Sequence, residues 1–125
     1  MRALNVRQPW AELIAQGRKR IEVRTWPTTH RGPLVIVASL AYAPNAPREL
    51  WDVDGGRGVA VCVVELVDVR RPERLAEDEH FAMTTLGPTL WCWCLAHARR
   101  VVPAPVRGQL GLFTLPADVR LRLAR

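Results

Sequence analysis

A single lysine stands among the 18 basic residues of this chain, and its neighbours could give it a role in binding or proton transfer. Lys19 lies two residues after Gly17 and three before Glu22, and every other basic residue is an arginine. A lysine ammonium is a compact charge whose pKa moves with burial, whereas a guanidinium stays protonated. The use of lysine here indicates a position that a guanidinium does not suit.

The sequence leaves the protonation state of Lys19 open. An ordinary lysine has a pKa near 10.4, so action as a base at pH 7 needs a decrease of about three units, roughly 4 kcal/mol. Burial and the adjacent Arg18 and Arg20 would lower the pKa, whereas Glu22 and Glu65 would raise it. A protonated Lys19 that binds carboxylates and a phosphate or carbonyl oxygen is the simpler expectation.

The contact between Lys19 and Glu22 depends on local backbone geometry. Strict strand alternation would place Lys19 on the face of Ile21 and Val23, opposite Glu22. The two side chains can meet only if Lys19 lies in the turn after Gly17, or if a bulge shifts the strand.

Glu65 is a second candidate, because it interrupts the apolar run 59–69 between Val64 and Leu66. An ionised carboxylate among apolar side chains is costly unless it is paired or hydrogen-bonded. Three interpretations stay open. Glu65 could form a buried ion pair with Lys19 or an arginine, it could reach solvent near the strand end, or it could belong to a functional site.

Two further side chains are of types that recognise bases. Trp26 follows Arg24 and Thr25, and an aromatic ring beside cations can stack on a nucleobase. Gln8 carries an amide that can both donate and accept, and it could read a base edge or instead cap the following helix.

The elements that must hold these side chains follow from the apolar periodicity. Pro9 opens a helix of about two turns, with Trp10, Leu13 and Ile14 on its apolar face and Gly17 as a left-handed C-terminal cap. Strands are predicted at 3–6, 20–24, 34–40, 59–69, 91–95, 99–102 and 110–114. Short or loose helices are predicted at 48–53 and 73–81 and from Pro116 onward, with loops at 26–33 and through most of 41–58.

These elements predict one domain over residues 1–125, of α+β class. The strands are too closely spaced for a doubly wound parallel sheet, whose crossovers need a dozen or more residues. About six short strands with few helices favour a small β-barrel, which removes exposed strand edges.

Composition narrows the partners and the location. A net charge of +6 and a pI near 10.5 favour anionic partners, with nucleic acid or nucleotide first. We expect no membrane partner and a cytoplasmic location, because we see no signal peptide and no apolar run long enough to span a bilayer. The three cysteines Cys62, Cys92 and Cys94 do not form a disulfide framework or a paired zinc-ligand spacing. We therefore expect no metal or other cofactor, and a monomer or weak dimer.

The opening segments, taken together, resemble the ASCH domain family of the PUA-like superfamily. The pattern Gly-x-Lys-x-x-Glu-x-Arg is met by Gly17, Lys19, Glu22 and Arg24. The resemblance also rests on the segments Arg7–Ile14, Arg31–Pro33 and Gly108–Phe113.

The resemblance implies a PUA-like small β-barrel of mixed strands with a cleft beside the Gly-x-Lys turn, and a role in RNA binding or processing. It also implies an enzymatic alternative, because some small bacterial members deacetylate an acetylated cytidine with a Lys, a Thr and a Glu. Lys19 matches the lysine and Glu65 the glutamate. The threonine position is occupied by Glu22, and Thr25, three residues further on, does not match it.

The sequence therefore predicts an RNA- or nucleotide-binding module as the first hypothesis. A small amidohydrolase or a metal-independent ribonuclease is the second, and a non-catalytic interaction domain is the third. The candidate catalytic residues are Lys19, Glu22 and Glu65. The candidate ligand-binding residues are Gln8, Pro9, Trp10, Arg18, Arg24, Thr25 and Trp26.

Overall fold

The fold is built on one mixed sheet of six strands, in a computed structural model that describes residues 1–53, 55–75 and 89–125. The strands are β1 (Arg2–Gln8), β2 (Ile21–Arg24), β3 (Gly32–Tyr42), β4 (Val59–Arg70), β5 (Trp91–Pro105) and β6 (Leu112–Thr114). Their order across the sheet is β2-β5-β4-β3-β1-β6. β1 and β3 pair in parallel, and the other neighbours pair antiparallel.

The predicted α+β class and the mixed PUA-like sheet are confirmed. The barrel is not closed, because β2 and β6 are the two edges of the sheet and, within the described chain, no ladder joins them. The gap between β2 and β6, here called the open seam, lies beside the turn that carries Lys19. The candidate site therefore lies where the described strands do not close the barrel.

One α-helix, α1 (Trp10–Ala15), follows β1 directly. Pro9 stands at the N-cap, one position earlier than predicted, and residues 11–15 are all buried. The Gln8 side chain supplies the missing cap, since its Oε1 accepts a hydrogen bond from the Glu12 backbone N–H at 2.9 Å. The helix packs on β1, β3, β4 and β5, which fixes the start of the following turn.

Apolar side chains cover both faces of the sheet. Leu4 and Ile36 belong to the core under α1, whereas their neighbours Ala3 and Val35 belong to a second core on the opposite face. A strand buried on both faces has a continuous apolar run rather than an alternation, which explains the segment 34–38.

Two sequence predictions near the C-terminus are wrong. The predicted strands 91–95 and 99–102 are one strand, β5, which continues through His97 in a left-handed conformation with φ of 53°. The predicted helix after Pro116 is a single turn, and Leu123 then forms a β-bridge with Val101. Alternating apolar and arginine residues at 119–125 suit an extended chain, and Val119 and Leu121 pack on the second core.

The remaining elements are short. A 3₁₀ helix at Arg48–Leu50 replaces the longer helix predicted at 48–53, and another lies at Pro72–Arg74. Most of the helix predicted at 73–81 lies outside the described residues.

Candidate functional site

The turn after α1 determines where Lys19 lies. Gly17 has φ of 75°, as predicted for a left-handed cap, and the backbone N–H groups of Arg18 and Lys19 both donate to the Leu13 carbonyl at 3.0 and 3.1 Å. These bonds keep Lys19 in the turn rather than in β2. Of the two geometries left open by the sequence, the turn is the one observed.

From this turn the Lys19 side chain extends toward β2. Its Nζ donates to the Ile21 carbonyl and lies 3.5 Å from Glu22 Oε1 and 5.5 Å from the centre of the Trp10 ring. Lys19 is 3% exposed and Glu22 is 7% exposed. The lysine is therefore held by a carboxylate, a carbonyl and an aromatic face with little access to water.

Arg24 binds the other oxygen of Glu22. Its Nη2 and Nε donate to Glu22 Oε2 at 2.7 and 3.1 Å, and Nη2 also donates to the Asn5 carbonyl at 2.9 Å. This second contact joins β2 to β1 across the seam. Glu22 thus lies between two cations, with Oε1 toward Lys19 and Oε2 on the guanidinium.

Burial lowers the pKa of Lys19 below the ordinary lysine value, and the charge of Arg24 acts in the same direction. The carboxylate of Glu22 opposes this decrease through charge and hydrogen bonding. Desolvation is the largest of these effects, so the net result, which the sequence left undecided, is a lowered pKa of Lys19.

A cleft opens over this cluster in two adjoining lobes, which share Arg7, Trp10, Glu22 and Val23. The tryptophan lobe has a volume of about 580 Å³ and is lined by Asn5, Arg7, Trp10, Glu22, Val23, Arg24, Thr25, Trp26, Ser39, Ala41, Gln109, Leu110 and Gly111. The lysine lobe has a volume of about 590 Å³ and is lined by Arg7, Trp10, Lys19, Glu22, Val23, Ala43, Pro44, Asn45, Ala46 and Pro47.

Two tryptophans frame the cleft. Trp10 borders both lobes, while Trp26 borders the tryptophan lobe and is only partly buried. Trp26 packs edge-on against the fully buried Trp93, with ring centres 4.8 Å apart, and its carbonyl accepts a hydrogen bond from Trp93 Nε1 at 3.2 Å. These contacts hold the Trp26 ring while leaving part of it accessible.

The structure brings together six of the ten predicted site residues along the two lobes: Trp10, Lys19, Glu22, Arg24, Thr25 and Trp26. Gln8 and Pro9 are buried, and the Gln8 amide is used internally, with Nε2 donating to the Gly56 carbonyl at 2.8 Å. Arg18 is exposed outside both lobes and donates to Gln16 Oε1. Helix capping is thus the role that the contacts of Gln8 support.

Glu65 does not join Lys19. Val64 and Leu66 on either side of it point into the core under α1, and Lys19 lies near Val64 on that same side. Strand alternation turns Glu65 to the opposite face, where it is partly exposed. Within the described residues it makes no ion pair, so the solvent-reaching interpretation is the one that the geometry supports.

Sequence reasoning missed Arg7 and Asn5 as cleft residues. Arg7 is exposed and borders both lobes, and its side chain forms no hydrogen bond or ion pair within the described residues. Asn5, in the middle of β1, lines the tryptophan lobe. The run Asn5-Val6-Arg7 alternates polar and apolar residues, and this alternation was the available signal that one face of β1 meets solvent.

An ion pair anchors the other side of α1. Glu12 Oε1 and Oε2 accept bonds from Arg100 Nη1 and Nη2 at 2.8 and 2.7 Å, a bidentate pair that ties the helix to β5. Hydrogen bonding to Arg100 lowers the pKa of Glu12, although its burial acts in the opposite direction. The pair fixes the helix from which the Lys19 turn begins.

Comparison with known proteins places the chain in a family. The ASCH domain model matches residues 4–105, and the chain belongs to the ASCH domain family. Activating signal cointegrator 1 from Homo sapiens is 56% identical over 133 residues, which cover 93% of this chain and 22% of that protein. The Mus musculus protein of that name is 53% identical over 36 residues, 29% of this chain and 6% of the mouse protein.

Solved structures share the fold. The crystal structure of ASCH from Zymomonas mobilis superposes with a TM-score of 0.60 at 12% identity, over 94% of this chain and 88% of that one. The crystal structure of a point mutant of the same Zymomonas mobilis protein gives the same TM-score and identity over 93% and 90% of the two chains. Within the described part of the chain, no helix is both long and apolar enough to cross a membrane.

Proposed function

We propose that the cleft binds single-stranded RNA or its nucleotides. Arg7 is the observation that carries this proposal, because an exposed guanidinium that borders both lobes and has no partner in the described chain is available for a phosphate. The net charge of +6 would draw a polyanion toward it.

The aromatic and cationic side chains of the cleft suit different parts of such a ligand. The accessible part of the Trp26 ring offers a stacking surface for a base, and Thr25 beside it is exposed and can bond a sugar or phosphate oxygen. Arg24 is already bonded to Glu22, so it orients the carboxylate and contributes charge rather than a free fork. A groove with stacking rings and cations is typical of binding to unpaired strands.

Binding of a fluorescently labelled single-stranded RNA, followed by anisotropy over a range of salt concentrations, tests the proposal. Arg7→Ala should weaken binding and reduce the slope of log K against log salt by roughly 0.7, the value for one phosphate contact on a single strand. Arg18→Ala is the matched control, because it removes the same charge from an exposed position outside the cleft.

Trp26→Ala should weaken RNA binding by roughly 5- to 150-fold, the equivalent of about 1–3 kcal/mol for one stacked base. No binding of RNA or nucleotides at low salt would refute the proposal. Equal effects of Arg7→Ala and Arg18→Ala on RNA binding would indicate that the RNA binds outside this cleft.

A second candidate function is hydrolysis of an acylated cytidine, and the lowered pKa of Lys19 favours it. In its neutral form, Lys19 would take a proton from a water molecule as the water oxygen bonds to the acyl carbon. The same proton would pass to the cytidine amine as the carbon–nitrogen bond breaks. Glu22, at 3.5 Å, would hold the intermediate ammonium, although it stands where the deacetylating relatives carry a threonine.

Turnover of N4-acetylcytidine, measured without metal ions, tests this candidate, and cleavage of labelled RNA under the same conditions tests a metal-independent ribonuclease. Lys19→Arg keeps the positive charge but cannot readily release a proton. Loss of turnover with retained binding would support catalysis by Lys19. Binding of acetylcytidine or RNA without any turnover by the wild-type protein would refute the hydrolytic candidates.

A further inference from the structure

A third cavity of about 570 Å³, here called the outer lobe, adjoins the tryptophan lobe. Asn5 and Ser39 line both cavities, and Arg107 and Gly108 line the far side of the outer lobe. Neighbouring lobes therefore share lining residues, with Arg7 and Trp10 at one junction and Asn5 and Ser39 at the other. Each lobe alone falls within the size of cavities that hold a nucleotide-sized ligand, about 300–1,000 Å³.

Asn5 lies at the junction with an unsatisfied polar group. Its Oδ1 is buried and has no hydrogen-bond partner in the described chain. Buried acceptors without partners are uncommon in folded proteins, and leaving one unpaired is unfavourable. A half-turn of the amide exchanges oxygen and nitrogen with almost no change of shape, so this side chain can present either group to a ligand.

Gly108 gives the Asn5 amide its room. A Cβ built on Gly108 would stand 2.6 Å from both Cγ and Oδ1 of Asn5, closer than real Cβ atoms approach. Next to it, Arg107 is exposed and forms no hydrogen bond or ion pair with the described residues. The outer lobe thus has the Asn5 amide, which can hydrogen-bond a ligand, at its entrance and the Arg107 guanidinium at its rim.

We infer that the ligand is an oligonucleotide of at least three residues rather than a single nucleoside or nucleotide. The inference rests on the proposed function. One nucleotide occupies each lobe, the Asn5 amide bonds a base or sugar at the junction, and Arg107 binds a phosphate in the outer lobe. A single nucleotide would fill one lobe and leave Asn5 or Arg107 without contact.

The test is a length series of 5′-phosphorylated RNA oligomers, from the mononucleotide to the pentamer, in competition with a labelled pentamer. We expect affinity to rise at least tenfold from one nucleotide to three, and little from three to five. Arg107→Ala should weaken the trimer and pentamer several-fold and leave the mononucleotide unchanged, while Arg18→Ala, outside the groove, should affect none of them.

Asn5→Leu distinguishes a role of the Asn5 amide in ligand binding from a role in stability. It replaces the amide by an apolar side chain of similar size, so it should raise the urea midpoint while weakening trimer binding. Gly108→Ala should also weaken trimer binding, because the added methyl group would displace the Asn5 amide.

Equal affinity for mononucleotide and pentamer would overturn the inference and leave the proposed function intact. So would a trimer affinity unchanged in both Asn5→Leu and Arg107→Ala. Failure of every oligomer to bind at low salt would instead refute the proposed function itself.

Discussion

Glu22→Gln should destabilise the protein more than any single change to the cations that it binds. The substitution keeps the shape of the side chain but removes the charge that lies 3.5 Å from Lys19 Nζ and 2.7 Å from Arg24 Nη2. Lys19, whose side chain is 2% exposed, would then be a buried cation without a counter-ion. Arg24, with 23% of its side chain exposed, could turn to water instead.

The size of the effect follows from these distances. Two unit charges 3.5 Å apart attract by about 5 kcal/mol at the effective dielectric of a protein site, before desolvation is counted. Breaking a buried pair by removing one partner typically costs about 3–5 kcal/mol, because the other charge stays buried. We therefore expect Glu22→Gln to lower the free energy of unfolding by about 3–4 kcal/mol.

Lys19→Met is the matched variant. It removes the buried charge itself and leaves Glu22 bonded to Arg24, so the main loss is the hydrogen bond to the Ile21 carbonyl. We expect a cost of about 1–2 kcal/mol. The double variant should be more stable than the sum of the two single effects predicts, because the unpaired cation is then absent.

The pH dependence has a definite sign. Because the pKa of Lys19 is lowered in the folded protein, the unfolded chain binds more protons between that lowered value and about 10.4. Stability must therefore rise with pH across this window, relative to Lys19→Met, which has no such group.

Urea unfolding at several pH values from 7 to 10 measures all of these quantities, provided that the m-value stays constant among variants. A loss below about 1 kcal/mol for Glu22→Gln would refute the argument that Lys19 stays buried and charged. A pH-independent difference between wild type and Lys19→Met would contradict the lowered pKa.

Four further predictions use the same unfolding assay over a wider range of pH. Arg100→Ala should cost about 2–4 kcal/mol, because it leaves the buried Glu12 carboxylate unpaired. Since the pKa of Glu12 is lowered, the wild type should lose stability as pH falls below about 4.5, and Glu12→Gln should reduce that loss. Burial raises the pKa of Cys62 from 9.0 to about 12, so stability should fall by up to about 4 kcal/mol as pH rises across this interval, and less in Cys62→Ala. Gly17→Ala should cost about 1–2 kcal/mol from its positive φ alone, since no atom lies within 4 Å of the added methyl group, and Gly17→Asn should cost less. An unchanged urea midpoint would contradict the predictions for Arg100→Ala and Gly17→Ala. An acid limb unaffected by Glu12→Gln, or an alkaline limb unaffected by Cys62→Ala, would contradict the other two.

Local signals in the sequence were sufficient for the helix and its end. Pro9, the apolar spacing of Leu13 and Ile14 and the cap at Gly17 are all short-range features, and the observed turn follows from them. The position of Lys19 beside Glu22 was therefore one of two alternatives before any tertiary contact was considered.

Local sequence patterns do not indicate which distant segments pair as strands. His97 interrupts the apolar alternation and made β5 look like two strands, but the ladder with β4 continues past it. The last segment was predicted as a helix because Pro116 suits a first turn, while its pairing with Val101 is visible only in three dimensions.

The candidate site divides in the same way. Lys19, Glu22 and Arg24 are close in sequence, and their contacts follow from one turn and one strand. Glu65 was associated with them through its apolar surroundings, yet the strand has apolar residues on both faces, so burial of its neighbours does not indicate which face it shares with Lys19. Arg7 and Asn5 reach the cleft because they lie beyond Leu4, where the short ladder between β1 and β6 ends.

The burial of Lys19 also determines how the protein reacts with amine reagents. It holds the only ε-amine of the sequence, and that amine is nearly inaccessible in the folded state. Acetylation or reductive methylation of this ε-amine requires a transient opening of the turn, as amide exchange does for a buried backbone group. Mass spectrometry of the labelled protein would thus follow a single local opening event at one side chain, and any ligand that closes the cleft would slow that labelling.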